Sequence, residues 1–173
     1  MIVVDLGCAY CDASDSVDIL WERFHPKVIY GFDPRSPKKE WKLGKTKVVL
    51  SDLIAWTHDG LIQFREDGVA SCVLNENVPL LNETMWLSGY KIPSWRECFD
   101  LAAWIKALPP KKIVVKFDVE NAELDLLEHL ISTGADKRLS LALIEWHCAE
   151  PEDRGRRDWI LENLSCPWQD WGH

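Results

Sequence analysis

No hydrophobic run in this chain of 173 residues approaches the roughly 20 residues that a membrane-spanning helix requires. Basic residues are also scarce. Lys and Arg number 20 against 28 Asp and Glu, and the net charge of −8 argues against a sequence-independent grip on nucleic acid or an anionic membrane. The one basic stretch runs from Arg35 to Lys47, with Lys38, Lys39, Lys42 and Lys45 around Trp41, and it reads as a solvated turn and helix face. The six Cys lack the dense, regular spacing of a disulfide framework, which predicts reduced thiols and a cytoplasmic location. No charged-then-apolar leader precedes the first strand, and neither an internal repeat nor a low-complexity tract is present.

Apolar residues make up 47% of the chain, and ten of them are Trp. That composition predicts a globular protein, and the length predicts a single domain over 1–173 with one continuous core. Three short apolar segments each end in an acid: Ile2-Val3-Val4 before Asp5, Val28 to Phe32 before Asp33, and Ile113 to Phe117 before Asp118. Strands too apolar for one-sided burial belong inside a parallel sheet, whose carboxyl edge presents groups to a ligand. Acids at three such tips point to a nucleotide-like ligand.

Val17, Leu20, Trp21 and Phe24 recur at helical spacing after the first strand, so the chain opens as β-α-β. Lys47 to Leu50 reads as a third strand. Asp59-Gly60 predicts a β-hairpin insertion near residues 53–65. The stretch from Asn75 to Pro93 has no clear period and is a candidate lid. Ser94-Trp95-Arg96-Glu97 has capping-box spacing and predicts a helix start, with Cys98, Leu101, Ala102 and Ile105 on its buried face. A helix with Leu124, Leu127, Leu130 and Ile131 inward follows Asp118 and closes at Gly134. Leu139 to Trp146 reads as a buried strand and Glu152 to Leu164 as the last helix.

The segments DLG, GFDP, AWTHDGLIQF, KFDVENAELDLLEHL and IEWH, in that order over residues 1 to 150, resemble the FkbM-type S-adenosylmethionine-dependent methyltransferases. DVENAE against the family's D-V-E-G-A-E is the strongest match. Asn121 stands where the pattern has Gly, and Asn tolerates positive φ. The first loop is poorer in glycine than the family's, with Cys11 in its last glycine slot. The resemblance implies a Rossmann-like class I methyltransferase fold, α/β with a mostly parallel central sheet and helices on both faces. It implies S-adenosylmethionine as cofactor and methylation of a hydroxyl on a small molecule or glycan.

On that reading Gly7, Cys8, Ala9 and Tyr10 form the loop that faces the cofactor's amino-acid end, and Asp5 orients that loop or meets the ammonium. Asp33 accepts the ribose hydroxyls, and Asp52 and Ser71 lie at the adenine. Asp118, Glu120 and His147 are the candidates for the methyl-transfer site, with Asp118 or His147 as the proton acceptor. Tyr10 and Trp146 could face the sulfonium.

Two other readings compete. A fold that binds cofactor without transferring methyl is consistent with the glycine-poor loop. Cys8-Ala9-Tyr10-Cys11 also has the C-x-x-C spacing of a thiol redox pair. Cys8, Cys11, His147 and Cys148 lack the second C-x-x-C of a recognisable zinc site, so no metal is expected. The oligomeric state stays open.

Overall fold

The computed structural model describes residues 1–8, 16–66, 72–74, 93–147 and 151–172. It is an α/β protein built on a mixed seven-stranded sheet. The expected β-α-β opening is present: β1 (Ile2–Leu6), α1 (Ser16–Phe24) and β2 (Val28–Phe32), with the two strands paired in parallel. An edge strand β3 (Lys39–Leu43) then runs antiparallel to β4 (Thr46–Ser51), which is parallel to β2. The later strands are β9 (Ile113–Phe117), β10 (Leu141–Ile144) and β11 (Trp168–Asp170).

Across the sheet the order is β11-β10-β9-β1-β2-β4-β3. The chain therefore builds outward from β1 on one side, crosses back to β9 on its other side, and builds outward again. β1 and β9 are neighbours in register, with Leu6 opposite Phe117.

Burial on both faces explains the apolar strands. Ile2, Val4 and Leu6 join Ile113, Val115 and Phe117 in one core, whereas Val3 and Val114 join the other. Alternation with period two assigns these sets to opposite faces. α1 contributes Val17 and Leu20 to the second core. The first core takes α2 (Leu101–Ala107), α3 (Glu123–Thr133) and Ile160 of α4 (Pro151–Asn163). α3 ends as its sequence predicts, at Gly134 with φ 71°, where left-handed backbone costs glycine least. Among the described residues no helix is long and apolar enough to cross a membrane.

Three local expectations are overturned. The hairpin over 53–65 does not form. β5 (Ile54–Trp56) and β6 (Gly60–Arg65) both pair with β8 (Ser94–Asp100), which lies between them in a four-stranded sheet ordered β5-β8-β6-β7, with β7 at Cys72–Leu74. Asp59-Gly60 does turn the chain, but turn chemistry does not choose the partner strand. Asp59 instead accepts the Asp100 N–H at 2.9 Å.

Ser94 to Glu97 is likewise strand rather than a helix start: Trp95 and Glu97 are exposed and alternate with half-buried neighbours. The cap moves to Asp100, whose carboxylate accepts the Ala103 N–H at 3.0 Å. The Arg35–Lys47 segment contains the edge strand β3 and not a helix face. Trp41 packs against the second core, and Glu40 pairs with Lys47 at 2.9 Å. Lysines along an exposed edge discourage pairing with another chain. The predicted lid lies outside the described residues except for Pro93.

Candidate functional site

The site lies where β1, β2, β9 and β10 end together. Gly7, Asp33 and Asp118 are the first residues beyond their strands, and the registers Leu6–Phe32 and Leu6–Phe117 set them side by side. Gly7 has φ 76° and continues the ladder by donating its N–H to Phe32 O at 2.9 Å. A Cβ at this position would stand 1.7 Å from the backbone oxygen of Asp118. Only glycine lets the two strand tips come this close.

The most buried charges lie just beneath the edge. Lys116 and Asp5 face each other across β9 and β1, both 0% exposed, with Nζ to Oδ1 at 3.1 Å. Lys116 also reaches Asp118 Oδ2 at 2.9 Å and donates to Gly7 O at 3.1 Å. Burial disfavours its charge, but Asp5 and Asp118 outweigh that penalty and hold the ammonium above its ordinary range. Asp5 further accepts the Ser16 hydroxyl at 2.6 Å. It lies inside β1 and not at its tip, where the sequence alone places it, and it ties the start of α1 to the sheet.

Asp33 is buried, and its Oδ1 accepts the Arg35 backbone N–H at 2.8 Å. The Arg35 guanidinium spans both oxygens, at 3.2 and 3.3 Å. Asp52, at the end of β4, is half-exposed and pairs with Lys38 at 3.1 Å. Cys8 is fully buried against Ser36, with Sγ and Oγ 3.4 Å apart, and burial, then Asp5, push its thiol far above the ordinary range. A redox cysteine needs the reverse, a stabilised thiolate. Ala9, Tyr10 and Ser71 fall outside the described residues. Trp146 packs against the first core with the Arg157 guanidinium 4.8 Å from its ring centre.

Beyond β9 and β10 lies a cluster around one imidazole. Glu120 and Asn121 both have left-handed backbone, φ 51° and 76°, so the chain turns sharply after Asp118. This is the conformation anticipated for Asn121, whereas Glu120 adopts it at some cost in strain. Glu120 stands ahead of α3, whose first turn begins at Glu123. His147 Nε2 lies 3.7 Å from Asp118 Oδ1, 3.8 Å from Glu120 Oε1 and 3.6 Å from Glu145 Oε1. The three expected methyl-transfer residues thus converge.

His147 Nδ1 meets Glu123 Oε1 at 2.9 Å, and the same oxygen accepts the Val119 N–H at 2.8 Å. The hydrogen bond that His147 donates to Glu123 dominates over burial, and with the neighbouring carboxylates it raises the imidazole pKa to about 9. Glu120 is pushed up by its burial; His147 opposes that shift, and the surrounding carboxylates add to it.

Three members of this site were not anticipated. Lys116 was visible as the one charge inside an otherwise apolar strand. Glu123 stood three residues after Glu120, and Glu145 at the tip of β10. Their roles required the pairing of β9 with β1 and β10. No family model, curated protein or solved structure matches the chain.

Proposed function

We propose that the chain is an S-adenosylmethionine-dependent methyltransferase with a Rossmann-like class I arrangement of its main sheet. The observation that carries this reading is the edge at β1. There the strand order reverses direction, and Gly7, Asp33 and Asp118 stand side by side at the strand tips. Ligands of open α/β sheets sit outside the carboxyl ends at such a reversal.

In this reading Asp33 receives the ribose in competition with Arg35, and the carboxylates beyond β9 and β10 attract the positive sulfonium. Methyl transfer is an in-line displacement, so holding the acceptor in line is the main task, and such orientation supplies roughly 7–11 kcal/mol. Glu123 keeps His147 in its charged form, which leaves Asp118 to take the proton released by an acceptor hydroxyl. A small-molecule or glycan hydroxyl is the proposed acceptor, and cysteine usage supports a cytoplasmic setting.

Calorimetric titration of the full chain with S-adenosylmethionine and its demethylated product tests the proposal. Saturable binding that Asp33→Ala weakens supports it, and binding of neither compound refutes it. Binding without turnover on any acceptor pool would identify a cofactor-binding protein instead.

A further inference from the structure

We infer that Asp118, Glu120 and His147 form a site for one divalent first-row cation, of the Mn2+ or Zn2+ kind. Each side chain offers a ligand atom, and the three atoms lie within 4.8 Å of one another. The separations from Nε2 to the carboxylate oxygens, 3.6 to 3.8 Å, are too long for hydrogen bonds. They suit donors arranged around a common centre: tetrahedral contacts of about 2.2 Å place neighbouring donors ~3.6 Å apart. Imidazole with carboxylates is a mixed donor set, softer than Mg2+ prefers and harder than a thiolate site.

The surroundings prepare the ligands for that role. A metal-bound His typically donates its other ring N–H to a carboxylate, which fixes the tautomer and aims the free nitrogen. His147 has this arrangement, with Nδ1 on Glu123 Oε1 at 2.9 Å and Nε2 turned toward the carboxylates. Asp118 is held by its Oδ2 on Lys116 at 2.9 Å, and its Oδ1 faces His147. Glu145, at 3.6 Å from Nε2, stands outside the three-residue group and is placed to accept from a water bound to the ion.

An independent sign comes from Glu123. This carboxylate is 1% exposed; its Oε1 meets His147 and the Val119 N–H, while its Oε2 has no hydrogen-bond partner among the described residues. A buried carboxylate oxygen left without a hydrogen bond is costly. Asp118, Glu120, Glu123 and Glu145 share His147 and a Lys116 that is also committed to Asp5. A dication supplies the missing positive charge. Binding the cation displaces the proton from His147 Nε2 and occupies Asp118 Oδ1, so it is an alternative occupancy to the charged imidazole of the methyltransferase reading and does not depend on an adenosyl cofactor.

The test is calorimetric titration of the chelator-treated full chain with MnCl2 and, separately, ZnCl2, with Mn2+ electron paramagnetic resonance as a second readout. One ion per chain is expected. Glu120→Gln and His147→Gln, each removing a ligand, should weaken binding by at least 100-fold. Glu123→Gln removes no ligand but loosens the imidazole, and should weaken binding by about 10–100-fold. Circular dichroism of each variant confirms that it is folded, and titration of the native chain is decisive even if a variant fails to fold. No saturable binding of either ion to the native chain, or binding that Glu120→Gln and His147→Gln both leave unchanged, overturns the inference. In the same samples, failure to bind S-adenosylmethionine would count against the methyltransferase reading only.

Discussion

Replacing Lys116 with Met tests the charge arrangement beneath the site. The ammonium and the Asp5 carboxylate are both fully excluded from solvent, and Lys116 also holds Asp118 and Gly7 O. Met fills most of the volume, so packing loss is small. What remains among the described residues is a buried Asp5 with only the Ser16 hydroxyl to stabilise it. Breaking a buried pair by removing one partner costs about 3–5 kcal/mol. Against a total stability of about 5–15 kcal/mol for an ordinary domain, that loss is severe. At ~2–4 °C per kcal/mol for a domain of this size, the midpoint should fall by roughly 6–20 °C.

Urea denaturation of the native chain, Lys116→Met, Asp5→Asn and the double variant completes a thermodynamic cycle. The double variant should be more stable than Lys116→Met, because it no longer buries an uncompensated charge. A cost below about 1 kcal/mol for Lys116→Met, the range of an exposed ion pair, would refute the reasoning. So would a double variant no better than the single one.

Other expectations follow from the same geometry. Gly7→Ala places a Cβ 1.7 Å from Asp118 O at a φ of 76°, so β1 and β9 must separate at their tips. The left-handed backbone alone costs roughly 1–2 kcal/mol, and denaturation should show at least that loss; unchanged stability would contradict the close approach. Iodoacetamide should label Cys8 in the native chain far more slowly than in the urea-unfolded chain, since the thiol is buried and held protonated. Rapid native labelling, read by peptide mass spectrometry, would revive the redox reading. Asp100→Ala removes the α2 cap and should cost about 1 kcal/mol. Burial opposes ionisation of Asp100, but the Ala103 N–H and His129 outweigh it, and its carboxyl sits below the ordinary range. Its contribution is therefore present above the ordinary carboxylate pKa and lost as pH falls through the lowered value. A stability difference from Asp100→Ala that persists fully in strong acid would contradict this.

Much of the parallel sheet was legible in the residues. β1, β2 and β9 are largely apolar runs, interrupted by Asp5 and Lys116, and such runs predict burial on both faces wherever they sit. α1 and α3 follow from apolar spacing, and the end of α3 from Gly134. The errors cluster where a local signal admits two outcomes. Asp59-Gly60 marks a turn in either case, and Ser94 to Glu97 has capping-box spacing although its exposures alternate as in a strand.

For the site, chemistry was readable residue by residue, but grouping was not. An acid at a strand tip is evident from Asp33 or Asp118 alone, because the apolar run before it has to end at the sheet edge. That Asp5 lies inside the protein, and that Lys116 answers it, depends on β1 and β9 being neighbours although over a hundred residues separate them in the chain. The convergence of Asp118, Glu120, Glu123 and Glu145 on His147 has the same origin. Local periodicity determines which residues are buried and where strands end, since it reflects the geometry of one segment. Which tips share an edge depends on the pairing of distant strands, and only the folded sheet decides that.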